Sequence, residues 1–585
     1  MAAIRHVLIE NFRGFEQFST PLRSMALVTG EPGAGRSDLI EALIRTLDPD
    51  YLRSRRADDM DFHELDTSRE VKVEVVIGQL SDAARIAYSQ HIELWDAPNE
   101  VLIAELAAGE VRDPKRHKEV VRFGYRLVLG EDGLPDESLY WPKHARPAEG
   151  HYPSITRSER GHVPFYWQRG LSLRPLDLST RGEMRELIDS QDGETFDVAI
   201  LRFMDGVVSS AAEFSDQERV AAALTQLLAP LRSVRRFDSD EVASSLVQFL
   251  PEGGAPSGLL RSLSAAVTLE DGPSYLPAWR HGTTLLAAMR GGMLYASATS
   301  KPGAIVAIDD LGGDLDPMLA GHLVGELRKV AGQVIAASRL SQVVDTFRPQ
   351  EVVRLYRREG VRQVALGKRP KTKSERAAAR WYAPALVPAL SASAVVVVEG
   401  FHDRMALTAV VRRAVELGTV PSYAGAGISI IDAEGTGGVP KLAEMAKSLG
   451  LYVIALLDND GTVPVIDDEV LNAARTAADV TVRLPPRTAI ERLLLRGVPD
   501  AELVRAWQAL DAAMGGLAMP VAWETKVGKD LVTTLAKFLH GKSGSLHAGF
   551  VEMVEPAMLC PEAVGVLVRL HEIATSRLIT DLVEL

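Results

Sequence analysis

Four carboxylates stand where they could do chemistry. The apolar run Ala394–Val398 leads directly into Glu399-Gly400-Phe401-His402-Asp403, and a second run, Leu451–Leu457, ends in Asp458-Asn459-Asp460-Gly461. Short continuous apolar runs are the mark of strands buried on both faces. Each run therefore delivers acids at its C-terminal end, where an open α/β sheet gathers its ligands. Glu399 and Asp403 are four residues apart across a strand-to-helix junction, and a helix starting near Phe401 turns both to one side. Asp458 and Asp460, at i and i+2, share a face if the strand continues. Converging carboxylates repel one another without cations, and hard oxygen donors suit Mg²⁺ or Mn²⁺. Two such ions about 4 Å apart can activate a water and stabilise the leaving oxygen in phosphodiester cleavage. An isolated Asp-x-Asp is commonly a solvated loop pair. The pattern of strand followed by acids occurs twice here, which favours Glu399, Asp403, Asp458 and Asp460 as metal-binding and catalytic candidates.

A second constellation lies near the N-terminus. The strand-like run Met25–Thr29 enters Gly30-Glu31-Pro32-Gly33-Ala34-Gly35-Arg36-Ser37, followed by helical spacing over Leu39–Leu47. Glycines let backbone N–H groups turn inward onto phosphate oxygens. The following helix adds its positive end, and Ser37 would hold Mg²⁺. The spacing matches the phosphate-loop pattern G-x-x-x-x-G-K-[ST] except that Arg36 replaces lysine, which keeps the charge on a bulkier, planar group. Downstream, the apolar run Ala304–Ile308 ends in Asp309-Asp310. An acid after a strand is where a nucleotide-binding sheet places its Mg²⁺ and water-activating groups. Gly30, Gly33, Gly35, Arg36, Ser37, Asp309 and Asp310 are the nucleotide-site candidates.

Composition bounds these readings. A chain of 585 residues suggests about three to four domains. With 46% hydrophobic and 24% charged residues it has ample core. No apolar run is long enough to span a bilayer, and the N-terminal residues lack a signal-peptide pattern, so the expected location is the cytoplasm, with no membrane partner. The single cysteine, Cys560, excludes a disulfide framework or a cysteine zinc site within one chain. A net charge of −13 argues against a broadly basic coat for nucleic acid but leaves room for a local basic groove. The clusters Arg53–Arg56 and Lys368–Arg380 are equally well read as solvated linker or helix face.

The remaining elements must position these groups. Ile4–Ile9 alternates as a strand before a turn at Glu10–Phe15, and Val71–Ile77 reads as an edge or antiparallel strand. Residues 101–130 hold further strands, such as Tyr125–Leu129, and 131–165 read as loops rich in proline, glycine and charge. Residues 181–262 form a helical insertion, a possible dimerisation element, with a break at Pro251–Gly258. A helix over Leu285–Tyr295, the strand at 304–308 and the strand Gln333–Ala337 complete the first half. The expected domains are 1–180, the N-terminal part of a nucleotide-binding head; 181–262, the insertion; 263–370, the C-terminal part; 371–393, a basic linker; and 394–585, the acidic-site domain with a C-terminal helical extension.

Two resemblances follow. Ile9-Glu-Asn-Phe-Arg-Gly-Phe15, the loop Gly30–Ser37, the signature-like Arg280–Thr284, Asp309-Asp310 and Asp314-Leu-Asp-Pro317 recur in this order in ABC-type ATPase heads of the SMC and Rad50 kind. Such heads sandwich ATP between two copies, which implies a dimer. The chain departs from that pattern at Arg36, at Asp310 in place of the catalytic glutamate, at Arg339 in place of the switch histidine, and around Gly282. Each departure weakens hydrolysis more than binding. The Glu-Gly-x-x-Asp and Leu-Leu-Asp-Asn-Asp-Gly pair resembles the TOPRIM domain of topoisomerases, primases and nucleases. The stretch Gly425–Gly438, followed by Pro440-Lys441, is most similar to its form in the overcoming lysogenization defect (OLD) family.

The whole order, ABC-type P-loop head, helical insertion and α/β TOPRIM domain with a parallel sheet, resembles OLD-family ATPase–nucleases, among them the ATPase-nuclease subunit of Gabija-type anti-phage systems. The resemblance implies a Mg²⁺- or Mn²⁺-dependent DNA endonuclease that binds ATP and assembles as a homodimer or homotetramer. A helicase or other defence subunit is a possible partner. It also implies a further acid and a lysine downstream: Glu491 and Lys542, with Lys526 and Lys529 as alternatives to the latter. A lysine there would offset transition-state charge. His402 and Lys441 read as supporting or surface groups. A nucleotide-gated sensor or scaffold, active only with a partner, is the alternative. A topoisomerase- or primase-like enzyme ranks lower, because no tyrosine nucleophile is placed beside the acids.

Overall fold

The protein's structure is a computed structural model. It describes the chain apart from residues 1, 55–56, 104–111, 131–132, 170–182, 192–197, 199–216, 232–246, 251–263, 268–275, 278–282, 369–370, 460–467 and 541–543. Two units divide the chain: Met1–Thr29 with Gly33–Val364, and Gly30–Pro32 with Ala365–Leu585. Asp460, Lys542, the Arg280–Gly282 signature, the break at 251–258 and part of the Arg53–Arg56 cluster lie outside the described residues. So does much of the insertion, of which Glu183–Asp189 and Glu218–Leu228 are helical.

The first unit carries two main sheets. One runs β2(Phe15–Pro21)-β1(Ala3–Phe12)-β4(Val71–Gly78)-β7(His117–Leu129)-β5(Glu93–Asp96)-β6(Val101–Ile103), with β8(Pro135–Tyr140) also on β7. All its pairings are antiparallel. β4 is antiparallel but interior, between β1 and β7. β8 corrects the loop reading of 131–165. Its Pro-Asp-Glu-Ser start reads as a turn, and only the ladder to β7 makes it a strand. The second sheet is ordered β16(Val361–Leu366)-β15(Val352–Arg358)-β3(Met25–Gly30)-β14(Gln333–Ala337)-β13(Ile305–Ile308)-β9(Phe165–Gln168). Its members β3, β14, β13 and β9 are parallel. Their apolar residues Ala26, Leu27, Val28, Ile305, Val306, Ala307, Val334 and Ile335 are fully buried, as expected of strands covered on both faces. A small sheet, β10(Val247–Leu250)-β11(Ser264–Val267)-β12(Leu276–Pro277), stands apart from both. Helices α1(Arg36–Leu47), α2(Thr283–Ser300) and α3(Pro317–Val330) belong to this unit.

The second unit is a three-layer sandwich around a five-stranded sheet, β18(Ile428–Asp432)-β17(Ala394–Val398)-β19(Tyr452–Leu457)-β20(Val480–Arg483)-β21(Thr580–Glu584), parallel throughout. Side chains alternate across it. Val396, Val398, Ile454 and Leu456 face one core, which also holds Leu407 and Val410 of α5(Phe401–Glu416). Val395, Val397, Val453 and Leu457 face the other, with Leu386 of α4(Lys373–Ala389) and Leu442 of α6(Val439–Ser448).

Helix α4 replaces the linker expected over 371–393. Thr372 and Glu375 form a reciprocal cap at its start, and Tyr382, Leu386 and Ala389 bury against the sheet. The exposed Lys371, Lys373 and Arg376 mask that apolar stripe in the sequence. Further helices of the unit include α7(Ile490–Leu495), α8(Gly528–Leu539), α9(Gly544–Met553) and α10(Pro561–Ser576), besides those over Asp468–Ala477 and Asp500–Ala513. Among the described residues no helix is long and apolar enough to cross a membrane.

Candidate functional site

β3 delivers the glycine-rich loop. Gly30, Gly33 and Gly35 adopt φ of 137°, 73° and 100°, values that favour glycine. Opposite the loop, β13 ends at Asp309. Ser37 Oγ donates a 2.9 Å hydrogen bond to Asp309 Oδ1. The loop hydroxyl and the strand-end acid thus already share one locus. Burial raises the Asp309 pKa, opposed by Ser37 and by Arg169, whose Nε lies 3.4 Å from Asp309 Oδ2. Burial lowers the Arg36 pKa, while the charges of Asp310 and Asp309 act in the opposite sense. Arg36 therefore sits in the field of both acids, where the lysine pattern puts its cation. Arg339 reaches Asp310 Oδ2 at 3.4 Å. Asp316 has a structural task, capping α3 by accepting from the N–H groups of Met318 and Leu319 at 3.0 Å.

Sequence reasoning missed Gln168 and Arg169 here. β9 pairs with β13 so that Gln168 lies beside Ile308, and Gln168 Oε1 is buried without a hydrogen-bond partner among the described residues. A four-residue strand carries no periodicity that could have revealed it.

In the second unit, β17 and β19 are neighbours, so their acidic ends meet. Glu399 accepts from the Asp458 backbone N–H at 2.9 Å through Oε1, and from the Thr436 hydroxyl through Oε2. The Gly435 N–H donates to the Glu399 carbonyl at 2.6 Å. The glycine-rich turn thereby closes over the end of β17. Asp403, in the first turn of α5, accepts from the Gly400 N–H at 2.8 Å. Asp458 Oδ2 accepts from the Ile490 N–H at 3.3 Å. Asn459 fixes that junction by bridging to Thr488 and donating to the Leu484 carbonyl at 3.0 Å. Glu491 follows at once, so the Asn459–Thr488 bridge carries it to the same edge.

Burial pushes the Asp403 pKa up to about 7, with the charges of Glu399 and Glu491 adding to the rise. Burial also penalises the Glu491 carboxylate, but the nearby His547 and His540 outweigh it and hold its pKa down. His540 Nδ1 lies 3.3 Å and His547 Nε2 4.0 Å from Glu491 Oε1. His402 stacks obliquely on His547 with 5.2 Å between rings. Thr436 and His547 were not singled out from the sequence. Thr436 sat inside a turn already noted for its glycines, whereas nothing local marks His547. Lys526 donates to Thr534 Oγ1 at 2.8 Å, and Lys529 is exposed on α8.

Among the described residues no three acidic, histidine or cysteine side chains stand close enough to hold an ion as placed. The donor set nevertheless fits a hard divalent cation: carboxylates from two strand ends and a helix turn, one of them driven toward protonation by burial and its neighbours' charge.

Residues 390–460 match the family model described as "Overcoming lysogenization defect protein-like, TOPRIM domain". The chain is α/β, and the likeness to a TOPRIM domain falls on the unit built around the five-stranded parallel sheet. No curated protein matches it. Solved structures that match include the SmcHead bound to the C-winged helix domain of ScpA, at 15% identity, 62% of this chain, 96% of that chain and a TM-score of 0.37. Another is the Smc head domain with an extended coiled coil bound to the C-terminal domain of ScpA derived from Pyrococcus furiosus, at 14% identity, 62% and 96% coverage and a TM-score of 0.35.

Proposed function

We propose that the chain is a metal-dependent DNA endonuclease whose TOPRIM domain hydrolyses phosphodiester bonds in duplex DNA, under control of nucleotide bound at the head. The observation that carries this reading is that the adjacent parallel strands β17 and β19 end in Glu399 and Asp458, joined by a hydrogen bond from the Asp458 N–H to the Glu399 carboxylate, inside the segment that matches the TOPRIM model. Glu399, Asp403, Asp458 and Asp460 would hold the metal. A bound Mg²⁺ or Mn²⁺ would supply a Lewis acid and a hydroxide-like water at neutral pH. The Thr436 hydroxyl and the Asp458 N–H fix the Glu399 carboxylate, and the Ile490 N–H fixes that of Asp458. Glu491, beside His540 and His547, would add a fifth acid whose charge bears on Asp403. Lys542 is the proposed cation near the scissile phosphate. ATP would bind at Gly30–Ser37 with Asp309 and Asp310. Action in anti-phage defence, as a homodimer or homotetramer with a possible helicase partner, in the cytoplasm, completes the proposal.

Supercoiled plasmid with Mg²⁺ or Mn²⁺ tests it. Nicked or linear product that disappears in Asp458→Ala is the expected result, and religated topoisomers would reject hydrolysis. A second reading, a nucleotide-gated sensor whose nuclease needs a partner, draws support from the head. There Arg36, Arg169 and Arg339 already surround Asp309 and Asp310, an arrangement better suited to binding than to turnover. Cleavage that occurs only with a partner present would favour it.

A further inference from the structure

The motif Asn11-Phe12-Arg13-Gly14-Phe15 found no task in the site described above. Its glycine has one. Gly14 is not among the residues with positive φ, so its backbone does not require glycine. Its space does. A Cβ built on Gly14 would lie 1.1 Å from Arg362 Nη1 and 1.5 Å from Arg362 Cζ. The guanidinium of Arg362, from β16, lies directly against the Gly14 backbone.

From there it reaches the phosphate loop. Nη1 donates to Asp38 Oδ2 at 2.9 Å, and Nη2 donates to the Gly33 carbonyl at 3.0 Å. Its Cζ lies 5.1 Å from the centre of the Phe15 ring. A Cβ on Gly35 would meet Phe15 at 2.7 Å and Arg362 Nη1 at 3.1 Å. Separate stretches of sequence thus close on one arginine.

Two physical features bear on what it does. Drawing the Gly33 carbonyl outward onto a guanidinium turns the adjoining peptide N–H groups toward the inside of the loop, the orientation that receives phosphate oxygens. In addition, Arg362 Nε is buried without a hydrogen-bond partner among the described residues. A largely buried, incompletely paired guanidinium is a poor device for stability, and an apolar side chain of similar volume often serves as well.

We propose that Arg362 is a positioning residue of the nucleotide site, holding the glycine-rich loop in the shape that receives the polyphosphate of a nucleoside triphosphate. Gly14 and Gly35 are glycines in part to make room for it. This rests on the nucleotide-binding reading of Gly30–Ser37. Lysine is not an adequate substitute, because it has no planar fork to engage Asp38 and Gly33 together.

The test measures binding of a fluorescent ATP analogue, with Mg²⁺, to the full-length protein and to its Arg362→Met, Arg362→Lys and Gly14→Ala variants. Unfolding temperature without nucleotide is recorded alongside. Gly14→Ala keeps the arginine and its charge but displaces the guanidinium, so it decides the matter if Arg362→Met folds poorly. The expected result is affinity weakened about tenfold or more in all three variants, with the unfolding temperature of Arg362→Lys and Gly14→Ala close to that of the parent. Affinity within about twofold of the parent, with lowered unfolding temperature, would make Arg362 a structural brace and overturn the proposal. If the parent itself binds no nucleotide, the underlying reading of the loop fails instead.

Discussion

Asp403 offers a way to separate the cost of building the acidic edge from its use. Burial, with the charges of Glu399 and Glu491, pushes its carboxyl up to about 7 from an ordinary value of 3.8 in the absence of metal. The unfolded chain releases this proton near 3.8, so between 3.8 and 7 the folded state binds more protons than the unfolded one. Stability therefore falls as pH rises through that window, and the full cost remains above it. At about 1.4 kcal/mol per unit the rise amounts to about 4 kcal/mol, and partial solvent access reduces the expectation to about 2–4 kcal/mol. Asp403→Asn removes the titration and keeps an acceptor for the Gly400 N–H. The variant should then be more stable than the parent by that amount at pH 8 in EDTA, with less than half the gain left at pH 5. Urea unfolding followed by hydrogen exchange on peptides from β17 and β19 reads this unit alone. Cleavage should be lost at both pH values. A variant no more stable than the parent at pH 8, or equally stabilised at pH 5 and pH 8, would refute the electrostatic reasoning.

Three further outcomes are expected. Ser37→Ala removes the hydroxyl bonded to Asp309, and Mg²⁺-dependent nucleotide affinity should fall roughly ten- to a hundredfold, as expected for a hydrogen bond to a charged group worth about 1.5–3 kcal/mol; titration with a fluorescent nucleotide checks this. Steady-state ATP hydrolysis by the parent should be slow, and faster in Arg36→Lys. A parental rate comparable to that of related heads, abolished by Asp309→Ala, would overturn the gate-like view of the head. Trp507 is fully buried and stacks on Phe550 at 5.3 Å; Trp507→Ala should destabilise the TOPRIM unit by about 3–5 kcal/mol, seen as early exchange in β17 peptides.

What the sequence made legible followed from how each element is buried. β17 and β19 are interior parallel strands, so Ala394–Val398 and Tyr452–Leu457 read as unbroken apolar runs with acids at their ends. The glycine-rich turn after β3 was legible because its glycines occupy conformations that side chains resist. Elements defined only by a partner were not legible. β8 begins with proline and charge, and its ladder to β7 alone makes it a strand. α4 hides an apolar stripe beneath its lysines. Gln168, Arg362 and His547 gain their positions from pairings across 140, 324 and 56 residues, to Ile308, Asp38 and Glu491, and no local window contains such a relation. Glu491 is reached only through the resemblance, and the Asn459–Thr488 bridge stands three residues before it.

The central claim is that this acidic edge binds the metal that cuts DNA. Anomalous diffraction from crystals grown with Mn²⁺ and a non-cleavable phosphorothioate duplex tests it most directly. The predicted result is Mn²⁺ peaks within coordination distance of the Glu399, Asp403 and Asp458 carboxylates, with a DNA phosphate beside them. Mn²⁺ and DNA bound elsewhere, in a protein that still cleaves plasmid, would contradict it.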